Sequence, residues 1–163
     1  MQDSQNTVTL KGLQRVVRMV SFALIFDSFV YGLFSLVYFF SHPRMQHRPE
    51  IIFGSNLYWL IIPALLIAAS AHAVRERLWE IQKARVSSTE TFYRGILFVT
   101  ILTMSMLDVI GVIGVFVFLS TGNMRFFLIM LLISFSGKFL NYPDSNFIEH
   151  KRKEIPLDLK KIP

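Results

Sequence analysis

ILFVTILTMSMLDVIGVIGVFVFLS, residues 96–120, is the stretch of sequence that decides the fold of this chain. About 20 consecutive apolar residues are enough for an α-helix to cross the hydrocarbon core of a bilayer, so this run predicts a membrane-spanning helix. Its only charged residue, Asp108, lies near its midpoint. Because a bilayer penalises a charge at that depth, Asp108 is the first candidate functional residue.

The composition of the whole chain agrees with a membrane protein. Of 163 residues, 53% are hydrophobic and 16 are Phe, and the mean hydropathy is +0.48. These values exceed those of ordinary soluble domains. The absence of Cys excludes disulfides, Cys-ligated zinc and thiol catalysis.

Three further apolar runs complete the predicted architecture. The boundaries are a polar connection at residues 41–56, a Thr121-Gly122-Asn123 turn and Pro143. We therefore predict an all-α membrane protein with one domain, residues 1–163. Its four helices form two antiparallel hairpins in one bundle, with spans at about 19–40, 57–82, 92–120 and 124–142. The first run is too long for a signal peptide, so we expect it to be retained as a span.

Local patterns predict several details of these helices. Pro63 should kink or restart the second helix, because Pro lacks the amide donor. Ala64 with Ala68, and Ala69 with Ala73, place small residues where helices can pack closely in lipid. Ser87 with Glu90 predicts a capping box at the start of the third helix. Lys138, near the end of the fourth run, is expected to extend its side chain to the membrane interface.

The distribution of basic residues predicts the orientation. Fourteen of the 17 Lys and Arg lie on the side of the two termini and the middle loop, and three lie on the other side. By the positive-inside rule, both termini are expected in the cytoplasm. The net charge of +6 is then explained by topology, and no nucleic-acid partner is predicted. The tail, residues 144–163, is expected to bind anionic lipid headgroups.

Two acids at matching depth are the candidate proton-binding residues. Asp27 in the first span and Asp108 in the third have no Lys, Arg or His within their own apolar runs, residues 19–40 and 96–120. Ionising either one at mid-bilayer would cost at least ~2.5–3.5 kcal/mol, so each is expected to be protonated unless a partner relieves it. One alternative is proton binding or relay. The other is a neutral carboxyl that donates a hydrogen bond, with Tyr31 and Ser105 as the supporting polar residues.

The third span and the turn after it carry a resemblance. Residues 106–115, MLDVIGVIGV, precede Ser120-Thr121-Gly122-Asn123, and Pro63 opens an Ala-rich second helix. In these features the chain resembles a group of small, uncharacterised bacterial four-span membrane proteins. The resemblance implies a bacterial inner-membrane protein. Gly111 and Gly114 are interpreted as close-packing sites for helices, together with Pro63 and the Ala64 and Ala68 pair.

The element formed by Asp108, Gly114 and Val115 also resembles the carboxyl helix of rotary ATPase proteolipid subunits, of the c and K types. Those subunits carry the acid on the second helix of a hairpin, whereas here it lies on the first. Their hairpin loop is cytoplasmic, which is the reverse of the orientation predicted above. Their inner helix is rich in Gly, whereas the first span here contains only Gly32. A loop that would grip the central stalk has no clear counterpart.

No enzyme, metal site or cofactor is predicted. The four His residues have no metal-binding spacing, and no phosphate-binding Gly loop or nucleophile elbow is present. The favoured hypothesis is a non-enzymatic membrane protein that serves as a structural, accessory or partner-binding subunit. The alternative is a proton-linked, proteolipid-like translocation or ring subunit that uses Asp108. Whether the chain forms a homo-oligomer or joins another membrane complex stays open.

Overall fold

The computed structural model describes residues 2–42 and 54–155, with side chains at 12–42 and 56–155. These residues form five α-helices and one 3₁₀ segment and contain no β-strand. The elements are α1 (Gln2–Ser41), the 3₁₀ segment (Gly54–Leu60), α2 (Ile61–Lys83), α3 (Thr89–Thr121), α4 (Met124–Leu140) and α5 (Ser145–Lys153). The prediction of an all-helical chain is confirmed for this part of the protein. Most of the predicted connection at 41–56 and the distal tail at 156–163 lie outside the described residues.

Within the described part of the chain, three helical stretches are long and apolar enough to cross a membrane: Gly12–Ser41, Asn56–Lys83 and Thr89–Thr121. A fourth span results if α4 and α5, which are bent by 49° relative to each other, are taken as one broken span. By itself α4 has 17 residues. The helices therefore supply three or four candidate spans, consistent with an integral membrane protein.

The outer surface of the described helices is strongly apolar. Large side chains that are more than half exposed include Phe22, Phe26, Phe29, Phe116, Leu132 and Leu140. Extended apolar surface of this kind is unfavourable in water and is typical of contact with lipid or with another protein.

The centre of the bundle is α3, which packs against α1, α2 and α4. It ends at Gly122, whose φ of 73° places it in the left-handed region that glycine adopts at little cost. The Asn123 side chain then caps α4 by accepting a hydrogen bond of 2.9 Å from the Phe126 amide. The predicted Thr-Gly-Asn turn is confirmed.

The inner face of α1 is a stripe of serines. Ser21, Ser28 and Ser35 recur every seven residues and are at most 2% exposed. A seven-residue repeat keeps one side of a helix facing its neighbours, and small side chains allow helix backbones to approach closely in lipid. The serine stripe was not among the predicted packing features.

The start of α2 explains the role of Pro63. The 3₁₀ segment ends at Leu60 and α2 begins at Ile61, so Pro63 lies in the first turn, where a missing amide hydrogen costs nothing. The helix restarts just before the proline. Ala64 is buried and Ala68 packs against the core.

The second predicted alanine pair does not share that face. Ala69 and Ala73 are exposed, whereas Ala71 is buried. The inner face of α2 therefore continues from Ala64 through Ala71, which is two turns later on the same side of the helix.

The predicted capping box of α3 was wrong by one residue. The N-cap is Ser88, whose hydroxyl accepts a hydrogen bond from the Thr91 amide, while the Thr91 hydroxyl accepts one from the Ser88 amide. Glu90 instead forms an ion pair with Arg94 one turn later. Thr serves here in the position that Glu or Gln usually takes.

This cap predicts a difference between adjacent serines. Ser88→Ala should lower the free energy of unfolding by about 1 kcal/mol, because the first turn of α3 loses a hydrogen-bond acceptor. Ser87→Ala is the matched control and should have a much smaller effect. Denaturant unfolding of both variants in detergent micelles measures the difference. A larger loss for Ser87→Ala would contradict the assignment.

Candidate functional site

A fully buried lysine is the centre of the site. The Lys138 side chain on α4 is 0% exposed. Its Nζ donates to Asp27 Oδ1 of α1 at 2.5 Å and to Asp108 Oδ1 of α3. Ser28 Oγ and the Leu24 carbonyl oxygen, at 2.9 Å and 2.7 Å, are two further acceptors. We call Asp27, Lys138 and Asp108 the triad.

Helical spacing on α1 assembles one side of the triad. Leu24, Asp27 and Ser28 lie three and four residues apart, so they share one face of the helix. The Ser28 hydroxyl also donates to Asp27 Oδ1 at 3.3 Å. One turn of α1 therefore surrounds the ammonium group with a carbonyl, a hydroxyl and a carboxyl group.

The packing of α3 on α4 positions the other side. Ser134 Oγ donates to the Leu107 carbonyl oxygen at 2.9 Å, next to Asp108. A Cβ added to Gly137, next to Lys138, would lie 2.7 Å from Leu107 Cδ2. Because α3 and α4 approach so closely here, the Lys138 side chain can reach both acids.

The triad corrects the expectation for Lys138. This side chain does not extend to the interface but lies at 0% exposure among the helices. Asp27 and Asp108 have no cation within their own apolar runs, residues 19–40 and 96–120, but a third helix supplies one. The available signal was the charge balance among the apolar runs at residues 19–40, 57–73, 96–120 and 126–142, which together contain two acids and one lysine.

The predicted supporting residues do not form the expected hydrogen bonds with the acids. In the part of the chain with described side chains, no hydrogen bond joins Tyr31 to Asp27 or Ser105 to Asp108. Tyr31 is half-buried, with its ring 3.9 Å from the position of a Cβ on Gly111, and Ser105 is exposed. Ser28, which was not among the predicted site residues, is the hydroxyl that contacts the triad.

The predicted packing glycines lie between α3 and α4. A Cβ on Gly111 would lie 3.4 Å from Ser134 Oγ, and one on Gly114 would lie 2.8 Å from Met130 Cβ. Real Cβ atoms do not approach other heavy atoms at 2.8 Å, so any side chain at Gly114 requires the two helices to separate.

An apolar groove of about 500 Å³ runs beside the triad, between α1 and α4. Ser28 is its polar residue, and the rest of the lining is aliphatic or aromatic. Those residues are Phe29, Gly32, Leu33, Leu36, Leu128, Leu131, Leu132 and Phe135. Ser28 thus lines the groove and also contacts the triad.

A second charged cluster joins α5 to α2. The Lys151 ammonium group, 5% exposed, contacts Glu76 and donates to Glu154 at 2.9 Å. The buried Trp79 indole donates to Glu154 at 3.0 Å, and the Arg75 guanidinium lies 4.2 Å from the centre of the Phe147 ring. Part of the predicted basic tail is therefore a docked helix, and Lys151 is not available to lipid headgroups.

Glu154 makes this docking dependent on pH. Partial burial acts to raise its pKa, but hydrogen bonds from Lys151 and Trp79 outweigh burial and hold the pKa below its ordinary value of 4.5. The group therefore stabilises the docked state above pH 4.5, and this contribution is lost as the pH falls through the lower, folded-state pKa.

We accordingly expect the emission of Trp79 to change on acidification below about pH 4.5, as α5 loses this attachment. A Trp59→Phe background isolates the signal, because the chain has two Trp residues. Glu154→Gln should remove most of the dependence on pH in this range. A titration curve unaffected by that substitution would show that another group controls the docking.

No group of three or more Asp, Glu or His side chains in the described ranges has the arrangement of a metal site. His42 and His72 are exposed, at the end of α1 and on α2, and His47 lies outside the described residues. The fold and site together define an all-helical protein with several candidate membrane spans and a buried triad of ionisable groups. No protein-family model, curated protein or solved structure matches the chain.

Proposed function

We propose that the chain is a non-enzymatic integral membrane protein that crosses the bilayer four times as two antiparallel hairpins. In this proposal it serves as a structural, accessory or partner-binding subunit of a membrane complex. The complete burial of Lys138 among acceptors from α1 and α3 supports the proposal. The polar contacts of Lys138 join α4 to α1 and α3. The outward surface of the helices is apolar.

The charge distribution supports an orientation with both termini in the cytoplasm. Lys138 is buried among the helices and is therefore not counted on either side of the membrane. Of the remaining 16 Lys and Arg residues, 13 lie on the proposed cytoplasmic side. The bacterial inner membrane is the proposed location. The exposed Arg152 and Lys153 of α5 would contribute about 1 kcal/mol each to binding of anionic lipid.

The outer face of α1 is the proposed surface for a protein partner. Only 17% of its most apolar window is buried, the same share as for the span that contains α2, against 44% for α3. Phe22, Phe26 and Phe29 are more than half exposed on this helix. The Phe26 ring packs against the ring of Phe22 on one side and that of Phe29 on the other. Either lipid or a protein partner can cover this face, and crosslinking distinguishes the two.

A photo-crosslinking side chain at Phe29, introduced in the native membrane, tests the partner-binding proposal. We expect a discrete protein adduct, either a second copy of the chain or another membrane protein. The same group at Phe116, on the outer face of α3, is the matched control. Lipid adducts alone at both positions would contradict a subunit role.

A second function is favoured by one observation, the presence of two carboxyl groups around one ammonium group. This excess of acid suits a proton-linked translocation or ring subunit that uses Asp108. Carbodiimides react with protonated carboxyls in membranes, so labelling at Asp108 or Asp27 should decrease as the pH rises. Absence of labelling at both residues in native membranes would exclude this function.

A further inference from the structure

We infer that the triad binds one proton, shared between the carboxyl groups of Asp27 and Asp108, while Lys138 remains charged. The inference rests on the proposed placement of the triad inside the bilayer, and it specifies the proton site of the second function. It holds equally if the protein is only a structural subunit.

The geometry places both carboxyl groups on one nitrogen. Asp27 Oδ1 and Asp108 Oδ1 each contact Lys138 Nζ, so the two oxygens lie within two hydrogen-bond lengths, or ~6 Å, of each other. Two carboxyl groups that share a site do not readily ionise together. With four oxygen acceptors around it, the ammonium group is well solvated by the protein and stays charged.

The charges of the triad indicate how many protons its carboxyl groups bind. One ammonium and two carboxylates would leave a net charge of −1 among apolar helices, and one added proton makes the site neutral. Asp27 and Lys138 are the charged groups that act on Asp108. Among the residues with described side chains, Tyr31 is a further titratable group near the two acids, and a phenol is neutral at pH 7. α2 contributes no charged group to the triad's hydrogen bonds.

Asp27 and Asp108 differ in how deeply each lies among the helices. The Asp27 side chain is 30% exposed and that of Asp108 is 17% exposed. The Ser28 hydroxyl contacts both Asp27 and Lys138, so it can reorient when the proton moves. Asp27 is therefore the more exposed carboxyl group of the triad, and Asp108 is the inner one.

Infrared spectroscopy of the full-length protein in lipid nanodiscs at pH 7 tests the proton count. With ¹³C-labelled aspartate, a protonated carboxyl is identified by a C=O stretching band that shifts on labelling. We expect intensity for one protonated Asp per chain. Asp27→Asn and Asp108→Asn should each abolish this band, because one carboxylate then balances Lys138.

Lys138→Met should instead increase the band towards two protonated carboxyls, since no cation remains to hold either one ionised. Asp144→Asn is the matched control. Asp144 caps α5, Asn preserves the cap, and the band should not change.

A band that is absent from the wild type overturns the inference, and so does one that survives in both single Asn variants. If the band appears only after sodium is removed, a bound monovalent cation balances the site and the inference is also wrong. Should Lys138→Met fail to fold, the two Asn variants still decide the outcome. The crosslinking at Phe29 tests the subunit role and the infrared band tests the shared proton. Failure of either proposal is therefore distinguishable from failure of the other.

Discussion

Lys138→Met is expected to lower the free energy of unfolding by about 3–5 kcal/mol, the range found when one partner of a buried ion pair is removed. The lysine is fully buried and joins α1 to α3 and α4 through four acceptors. Without it, two carboxyl groups stay among apolar helices and must take up protons, and the Leu24 carbonyl and the Ser28 hydroxyl each lose one hydrogen-bond donor.

The control is a triple variant, Lys138→Met combined with Asp27→Asn and Asp108→Asn. Because no charge remains in the site, we expect the triple variant to recover much of the lost stability. Unfolding of the wild type, the single variant and the triple variant in the same lipid nanodiscs gives the comparison. If the single variant is as stable as the wild type, the triad does not hold the helices together.

Gly114→Ala is expected to have the second largest effect, a loss of about 1–3 kcal/mol from overpacking between α3 and α4. The added methyl would lie 2.8 Å from Met130 Cβ, an atom next to the backbone that cannot move without its helix. Gly137→Ala should be less damaging, because the atom that it meets at 2.7 Å is Leu107 Cδ2, the end of a flexible side chain.

Gly12 provides a matched control for this prediction. It lies within α1, and a Cβ added there meets no atom within 4 Å. Gly12→Ala should stabilise the protein slightly, by up to ~1 kcal/mol, because alanine favours the helix more than glycine does. Thermal unfolding of the three alanine variants should give the order Gly114, Gly137, Gly12 from most to least destabilised. Equal effects at Gly114 and Gly12 would contradict the close approach of α3 and α4.

Features that depend on neighbouring residues in the chain were predictable. The apolar run containing Asp108 indicated a helix long enough to cross a membrane, and α3 has that length. Gly122 ends α3 as the turn motif indicated. The capping residue was wrong by one position, because Ser87 and Ser88 both precede a residue able to complete a cap, and only the backbone geometry distinguishes them.

The partner of the two acids was not predictable in this way. Lys138 lies 30 residues from Asp108 and 111 from Asp27. Its position near the end of an apolar run is equally compatible with a side chain at the interface. The serine stripe of α1 and the approach of Leu107 to Gly137 decide between these alternatives, and both depend on which helix faces which.

By itself, the sequence determined the helical class, the apolar runs and the presence of acids that a bilayer would penalise, because length and hydropathy are properties of contiguous residues. Only the tertiary structure decided that Asp27 and Asp108 meet on one lysine. Small residues on α1, α3 and α4 permit a close approach at one depth, and there a fully buried ammonium group contacts both carboxyl groups. The two candidate residues therefore belong to one site, which contains two carboxyl groups and one ammonium group.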